Sequence, residues 1–265
     1  MKNRGQVTSL RENSGFRIQN SERRGQVTIF IIVAIVIVAV VIVFLLWVQP
    51  TYFSETGRGL GFEGCVGDAV EQAVDELGLK AGFVNPGFSY TYDGEEFVYL
   101  CYTKEYYETC TVQVPFLKNV FEKQMESLIR SKIDSCYANS VGDLVAQGYD
   151  VVGGVVDYDV LIEPGVVRVE IDAPTSVGSQ GFSRFNVRVN SPIYDMIMIA
   201  TSILQYESSL GDSDIDTLMI FYPDYIIDKL KQGDGTTVYI VENKISGNKF
   251  QFASRSLAWP AGYLR

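Results

Sequence analysis

The most apolar stretch of the chain runs from Ile29 to Val48, twenty residues without one charged side chain. A helix of that length measures about 30 Å at 1.5 Å per residue, which is the thickness of the hydrocarbon core of a bilayer. A helix packed into a globular core usually keeps a polar stripe, and this run has none. The pattern therefore predicts a single N-terminal transmembrane or filament-core helix over residues 26–50.

Residues 51–64 are rich in glycine and are predicted to be a linker to residues 65–265. In this second part, apolar positions spaced by three and four residues predict helices over Cys65–Leu79, Pro115–Cys136 and Ser191–Ser208. Strands are predicted where apolar positions alternate between turn residues: Phe88–Tyr92, Phe97–Tyr102, Cys110–Val114, Val151–Ile162, Val166–Ile171, Phe185–Val189, Val238–Glu242 and Phe250–Ala253. These elements predict an α+β domain with a mostly antiparallel sheet and a sub-boundary near residues 140–150.

Charge divides the chain in the same way. Residues 1–25 carry six basic and two acidic side chains, a net charge of +4, whereas the residues after 50 carry 16 basic and 30 acidic ones, a net charge of −14. Basic flanks stay on the cytoplasmic side of a membrane, which predicts a cytoplasmic leader over residues 1–25 and an extracellular domain on a single-pass membrane protein. The bilayer is then a partner, and nucleic acid is not, because phosphate contacts need a basic surface.

All four cysteines lie in the predicted outer domain, and an even number in an oxidising setting predicts two disulfides. Cys101 and Cys110 are separated by eight residues between two predicted strands, so they can close a hairpin. Cys65 begins one predicted helix and Cys136 ends another, and antiparallel packing would bring these two together. The predicted pairs are therefore Cys65–Cys136 and Cys101–Cys110. A four-cysteine zinc site is the alternative, but it lacks any C-x-x-C pair.

The chain has no histidine, which removes the usual general base and the commonest metal ligand. It also lacks a phosphate-binding loop and a nucleophile elbow. The segment Asp212–Asp216 has the alternating acids of a calcium loop without its glycine and its final glutamate, so a solvated acidic loop is predicted. We expect no enzyme activity, cofactor or metal. A carboxylate pair needs no motif, which keeps a membrane-tethered hydrolase as a second alternative.

Tyrosines cluster around the predicted Cys101–Cys110 hairpin. Tyr102, Tyr106 and Tyr107 form a candidate binding surface there, since aromatic side chains at a loop tip often contact partners. The alternative is that these rings cover a small core.

The boundary of the apolar run resembles the leader of archaeal type IV pilins, the class III signal peptide. The residues that carry the resemblance are Arg23, Arg24 and Gly25, then Gln26 and Thr28, followed directly by the apolar helix. The resemblance implies that a prepilin peptidase recognises the arginines and cleaves between Gly25 and Gln26. It also implies that the helix stays on the mature protein and self-associates into a filament. One departure is Phe30, where many pilins carry glutamate.

The outer domain is similar to the ectodomains of predicted membrane proteins from uncultivated small-genome archaea. Cys65 before a helix, the segment Gly82-Phe83-Val84-x-Pro86 and Cys136 carry this second resemblance. Those proteins have no assigned activity, so no chemistry follows from it. The sequence as a whole predicts a pilin-like cell-surface protein with a structural or adhesive role. The first alternative is a monomeric bitopic protein that displays a binding ectodomain.

Overall fold

A computed structural model describes residues 31–41 and 61–258 of the chain. The chain divides into two compact units, Met1–Ser54 and Glu55–Arg265. In the first unit, residues 31–41 form a helix, α1. The second unit contains four helices among its described residues: α2 (Glu63–Gly78), α3 (Leu117–Ala146), α4 (Ile193–Leu210) and α5 (Ile215–Phe221).

The prediction of a transmembrane helix over residues 26–50 is wrong for the part of the chain that the structure describes. Of the predicted helix, the structure describes residues 31–41, and these form α1. Over residues 31–41 and 61–258, no helix combines the length and the apolarity that crossing a membrane requires. The predicted localisation as a single-pass membrane protein rests on that helix, so it is wrong for the same residues. Residues 26–30 and 42–50 of the predicted helix lie outside the described residues.

A six-stranded sheet forms one side of the second unit. Its strands are β1 (Ser89–Tyr92), β2 (Glu95–Tyr102), β3 (Thr111–Val112), β8 (Tyr225–Lys231), β9 (Thr236–Asn243) and β10 (Lys249–Arg255). The order is β1-β2-β10-β9-β8, and β3 also pairs with β2. All pairs are antiparallel except β10 with β2, which is parallel, so the sheet is mixed.

A four-stranded antiparallel sheet forms the other side, with strands β4 (Val151–Gly153), β5 (Asp157–Glu163), β6 (Val166–Val177) and β7 (Gln180–Asn190). Strand β6 pairs along its length with β7, and on its other edge with β5 and then β4. The predicted hairpin around Gly165 is present, but β6 continues six residues beyond its predicted end at Ile171.

Helix α4 lies in the main core, where it contacts β2, β9 and β10 of the larger sheet and β5 of the smaller one. Its buried side chains include Ile193, Met196, Ile197, Ala200 and Ile203. This placement explains why a helix of such apolar sequence occurs in the second unit: its neighbours cover it on several sides, so it needs no wide polar face.

Helix α3 is longer than predicted because it continues past Cys136 to Ala146. Cys136 therefore lies inside α3 rather than at its end. Its disulfide with Cys65 still joins α3 to α2, with the two Cα atoms 6.0 Å apart. The second disulfide joins Cys101 to Cys110 at a Cα distance of 5.4 Å. Both pairs match those that the sequence predicts.

The sequence did not predict α5 or β8. In the acidic segment Asp212–Asp216, Asp214 and Asp216 are exposed, and two of the three acids contact these elements. The Asp214 carboxylate caps α5 by accepting hydrogen bonds from the backbone N–H and the hydroxyl of Thr217, at 3.2 and 2.6 Å. Asp212 pairs with Lys229 and Lys231 of β8. Asp212 and Asp214 therefore have structural partners within the fold.

Candidate functional site

Residues 103–110 connect β2 to β3, and the Cys101–Cys110 disulfide closes this connection at its base. This segment is termed the tyrosine loop, because Tyr106 and Tyr107 project from it with 74% of each side chain exposed. The flanking Glu105 and Glu108 are exposed as well. Such exposure is unusual for two adjacent aromatic residues, which bury a large area when they meet a partner.

The backbone of the tyrosine loop is fixed by the chain that follows β10. The N–H of Thr103 donates to the carbonyl of Arg255 at 3.0 Å, and the Arg255 guanidinium donates back to the Thr103 carbonyl at 2.7 Å. Further along, the N–H of Tyr107 donates to the Leu257 carbonyl at 2.8 Å, and the N–H of Leu257 donates to Glu108 at 3.0 Å. The loop therefore holds its shape before any partner arrives, which lowers the entropy cost of binding.

Tyr107 has a backbone φ of 66°. A bulky residue rarely adopts this left-handed conformation, which costs about 1–3 kcal/mol and persists only where the surroundings impose it. Here the disulfide and the two hydrogen bonds to Leu257 impose it. Strained residues of this kind cluster at binding sites, so the geometry favours a functional role for the loop over a merely connecting one.

An aromatic strip leads along β1 and β2 toward the tyrosine loop. It is formed by the rings of Phe88, Tyr90, Tyr92, Phe97, Tyr99 and Tyr102, whose neighbouring centroids lie 4.7 to 6.2 Å apart. Phe88 is 47% exposed, and burial raises the pKa of the Tyr99 hydroxyl in the middle of the strip. Around these rings lies a second apolar cluster, made only of residues from the larger sheet and separate from the main core.

A bulge places the last ring of the strip. The pairing of β10 with β2 shifts between Ala253 and Ser254, so that Leu100 is an extra residue in β2. As a result Leu100 and Cys101 both pack into the main core, and Tyr102 returns to the same face as Tyr99. The guanidinium of Arg255 lies 5.6 Å from the centre of the Tyr102 ring and joins the strip to the loop.

A buried polar network supports the base of the loop from the core side. The Glu207 carboxylate of α4 is 2% exposed and accepts hydrogen bonds from the hydroxyls of Tyr239 at 2.5 Å and Ser254 at 3.0 Å. The Ser254 hydroxyl is 3.5 Å from the sulfur of Cys110. The backbone N–H of Cys110 donates to the hydroxyl of Ser256, which in turn donates to the Glu207 carbonyl, both at 3.3 Å.

Burial raises the pKa of the Glu207 carboxyl above its ordinary value, against the lowering effect of its two hydroxyl donors. Burial and the adjacent carboxylate both raise the pKa of Tyr239, so its hydroxyl stays protonated and donates. A perturbed carboxyl often marks an active site. At 2% exposure, however, no substrate reaches Glu207 in this conformation, and its role here is to hold α4, β9 and β10 together.

The structure thus places Tyr106 and Tyr107 at the loop tip and Tyr102 in the adjoining strip. The predicted processing residues Arg23, Arg24, Gly25 and Gln26 lie outside the described residues. Sequence reasoning missed the strip as a unit, although the tyrosines at alternate positions on both sides of the Asp93-Gly94 turn signal it. It also missed Glu207, whose only signal is a lone acid late in a very apolar helix.

In the part of the chain that the structure describes, no three acidic, cysteine or histidine side chains are grouped so that they could hold a metal ion. The expectations of no metal, no cofactor and no enzyme activity stay predictions. Comparison with known proteins adds no family: no family model, no curated protein and no solved structure matches this chain.

Proposed function

We propose that this protein is a structural or adhesive protein of the type IV pilin kind, which assembles through α1 and contacts partners through the tyrosine loop. The observation that carries the first half is the surface of α1. All eleven side chains of residues 31–41 are apolar and exposed, and Ile35 is 63% exposed. A continuous apolar surface of this kind marks an association site.

The occupant that fits this surface best is the same helix of other copies. A helix that is apolar on every side needs several neighbours, and a bundle of identical helices supplies them all round. Long aliphatic and β-branched side chains pack against each other by van der Waals contact without a polar residue to fix the pair. Processing by a prepilin peptidase between Gly25 and Gln26 belongs to the same proposal, since it would free the N-terminal end of the helix for packing.

The alternative is a monomeric protein whose only activity is binding through the tyrosine loop. The pre-formed backbone of the loop and the strained Tyr107 favour a binding role in either case. The hydrolase alternative finds less support, because the carboxyl with the raised pKa, Glu207, is enclosed by Tyr239 and Ser254.

Self-association of the purified full chain tests the proposal. Wild-type protein should sediment as assemblies, and Ile35→Asp should shift it to monomers, because a carboxylate would have to be buried between helices. The matched control is Ile245→Asp, which changes an 83% exposed isoleucine of the second unit and should leave assembly unchanged. Mass spectrometry of protein from its native cells should find Gln26 at the N-terminus. A wild-type chain that stays monomeric at all concentrations would overturn the assembly and leave the binding alternative.

A further inference from the structure

We infer that the tyrosine loop and the aromatic strip together bind an extended basic peptide segment of a partner protein. The inference rests on the proposed binding role of the loop and names the chemistry of its ligand. Three features of the described residues support it: cations already stacked on tyrosines, carboxylates at both ends of the strip, and the length of the strip.

Tyrosine rings in this fold already accept guanidinium groups. Arg255 lies over the ring of Tyr102 at 5.6 Å, and Arg130 lies over the ring of Tyr158 at 5.0 Å. Within the described residues, no cation lies over the ring of Tyr106 or Tyr107. These two exposed rings can therefore offer a partner the contact that Tyr102 makes within the chain.

Carboxylates stand at both ends of the aromatic surface. Glu105 and Glu108 flank the two loop tyrosines, and Asp93 and Glu95 are exposed at the β1–β2 turn, where the strip begins. None of the four forms an ion pair with another described residue. With a net charge of −14 after residue 50, the chain attracts cationic ligands and repels acidic ones.

The strip has the dimensions of a short extended peptide. Strand β2 runs from Glu95 to Tyr102, about 23 Å at 3.3 Å per residue, and β1 beside it is the outermost strand of the sheet order. An extended segment of about seven residues covers that distance. Basic side chains near its two ends would then lie close to the two groups of carboxylates. Its middle would lie on the accessible rings of Phe88, Tyr90 and Tyr102, since Phe97 and Tyr99 are buried beneath them.

The test titrates the full-length protein with three octapeptides in which glycine alternates with arginine, glutamine or glutamate. The arginine peptide should bind, and its affinity should fall as salt is raised. The glutamine and glutamate peptides should bind at least tenfold more weakly. Replacing both loop tyrosines, Tyr106→Ala with Tyr107→Gly, should weaken arginine-peptide binding by about 5- to 30-fold, the loss expected for two exposed cation–π contacts. Glycine suits the positive φ of residue 107, so the loop keeps its backbone.

Tyr149→Ala is the matched control: it removes a 53% exposed tyrosine outside the loop and strip, and binding should not change. Glu105→Gln with Glu108→Gln should weaken binding and flatten its salt dependence. Equal binding of the arginine and glutamine peptides, or full binding by the double tyrosine variant, would overturn the inference. Sedimentation of the same variants separates this result from the assembly proposal. Wild-type protein that assembles but binds the arginine peptide no better than the glutamine peptide overturns the ligand class alone.

Discussion

Replacing Tyr239 by phenylalanine removes one buried oxygen and leaves the ring in place. That oxygen donates to the Glu207 carboxylate at 2.5 Å and lies 2.8 Å from the Ser213 hydroxyl, and Tyr239 is fully buried. The Tyr239→Phe variant therefore leaves a buried carboxylate with Ser254 as its remaining hydroxyl donor. The variant therefore tests the buried hydrogen-bond network beneath the tyrosine loop and leaves the packing of the ring in the core unchanged.

The expected loss depends on the charge of Glu207. A hydrogen bond to a charged group contributes about 1.5–3 kcal/mol and one between neutral groups about 1 kcal/mol. Burial raises the pKa of folded Glu207 above its value in the unfolded chain, so its contribution to stability is complete below the unfolded pKa and falls as pH rises through the folded pKa. The Tyr239 hydroxyl limits that fall by stabilising the ionised carboxylate. Removing it should therefore cost about 1 kcal/mol near pH 4 and about 2–3 kcal/mol near pH 8.

Urea unfolding of the disulfide-intact protein at the two pH values measures both losses. The larger one corresponds to a decrease of about 4–12 °C in Tm. Tyr137→Phe is the control, since its hydroxyl bonds to Thr175 at 2.6 Å and both groups are neutral. Its loss should be the same at both pH values. If Tyr239→Phe also loses the same free energy at pH 4 and pH 8, Glu207 is not the group that titrates, and the account of the buried network is refuted.

Three further changes have defined outcomes. Cys65→Ala with Cys136→Ala opens a loop with a sequence separation of 71 and should lower the free energy of unfolding by about 4 kcal/mol in denaturant titration; a loss below 1 kcal/mol would show that the α2–α3 packing is sufficient alone. Gly78→Ala would bring a Cβ within 2.2 Å of the Lys249 carbonyl oxygen, so α2 must shift, and calorimetry should show a loss of about 1–3 kcal/mol. Tyr107→Gly should leave the Tm unchanged or raise it slightly, because relief of strain offsets the entropy of glycine; a clear decrease would mean that the ring itself stabilises the loop.

The hairpins and the helices of the second unit follow from local patterns. The Asp93-Gly94 turn is predictable because both residues adopt positive φ, of 50° and 85°, which Asp-Gly pairs do readily. The very apolar run Ile193–Leu204 in α4 predicts a buried helix, because a run this short does not span a bilayer. The cysteine pairing was predictable because it needs only the order and approximate ends of neighbouring elements.

The remaining features depend on contacts distant in sequence. Strand β8 was missed because Lys229 and Lys231 break its apolar pattern, and their acidic partner is Asp212, outside the strand. The bulge that turns Tyr102 onto the strip arises from the pairing of β2 with β10, about 150 residues later, and no local pattern in β2 encodes it. The predicted transmembrane helix rested on composition alone, and over residues 31–41 and 61–258 no helix has the length and apolarity that a membrane span requires.

The position of β10 between β2 and β9 has a consequence for how the protein is made. The larger sheet remains in two parts, β1–β3 and β8–β9, until the ribosome has released residues 249–255. Closing so long a loop is slow, and the exposed edges of β2 and β9 are open to wrong pairing in the meantime. The tyrosine loop can acquire its disulfide early, since Cys101 and Cys110 are close in sequence. Its backbone, however, lacks its hydrogen-bond partners until Arg255 and Leu257 have been made, so the tyrosine loop acquires its final shape only after β10 is in place.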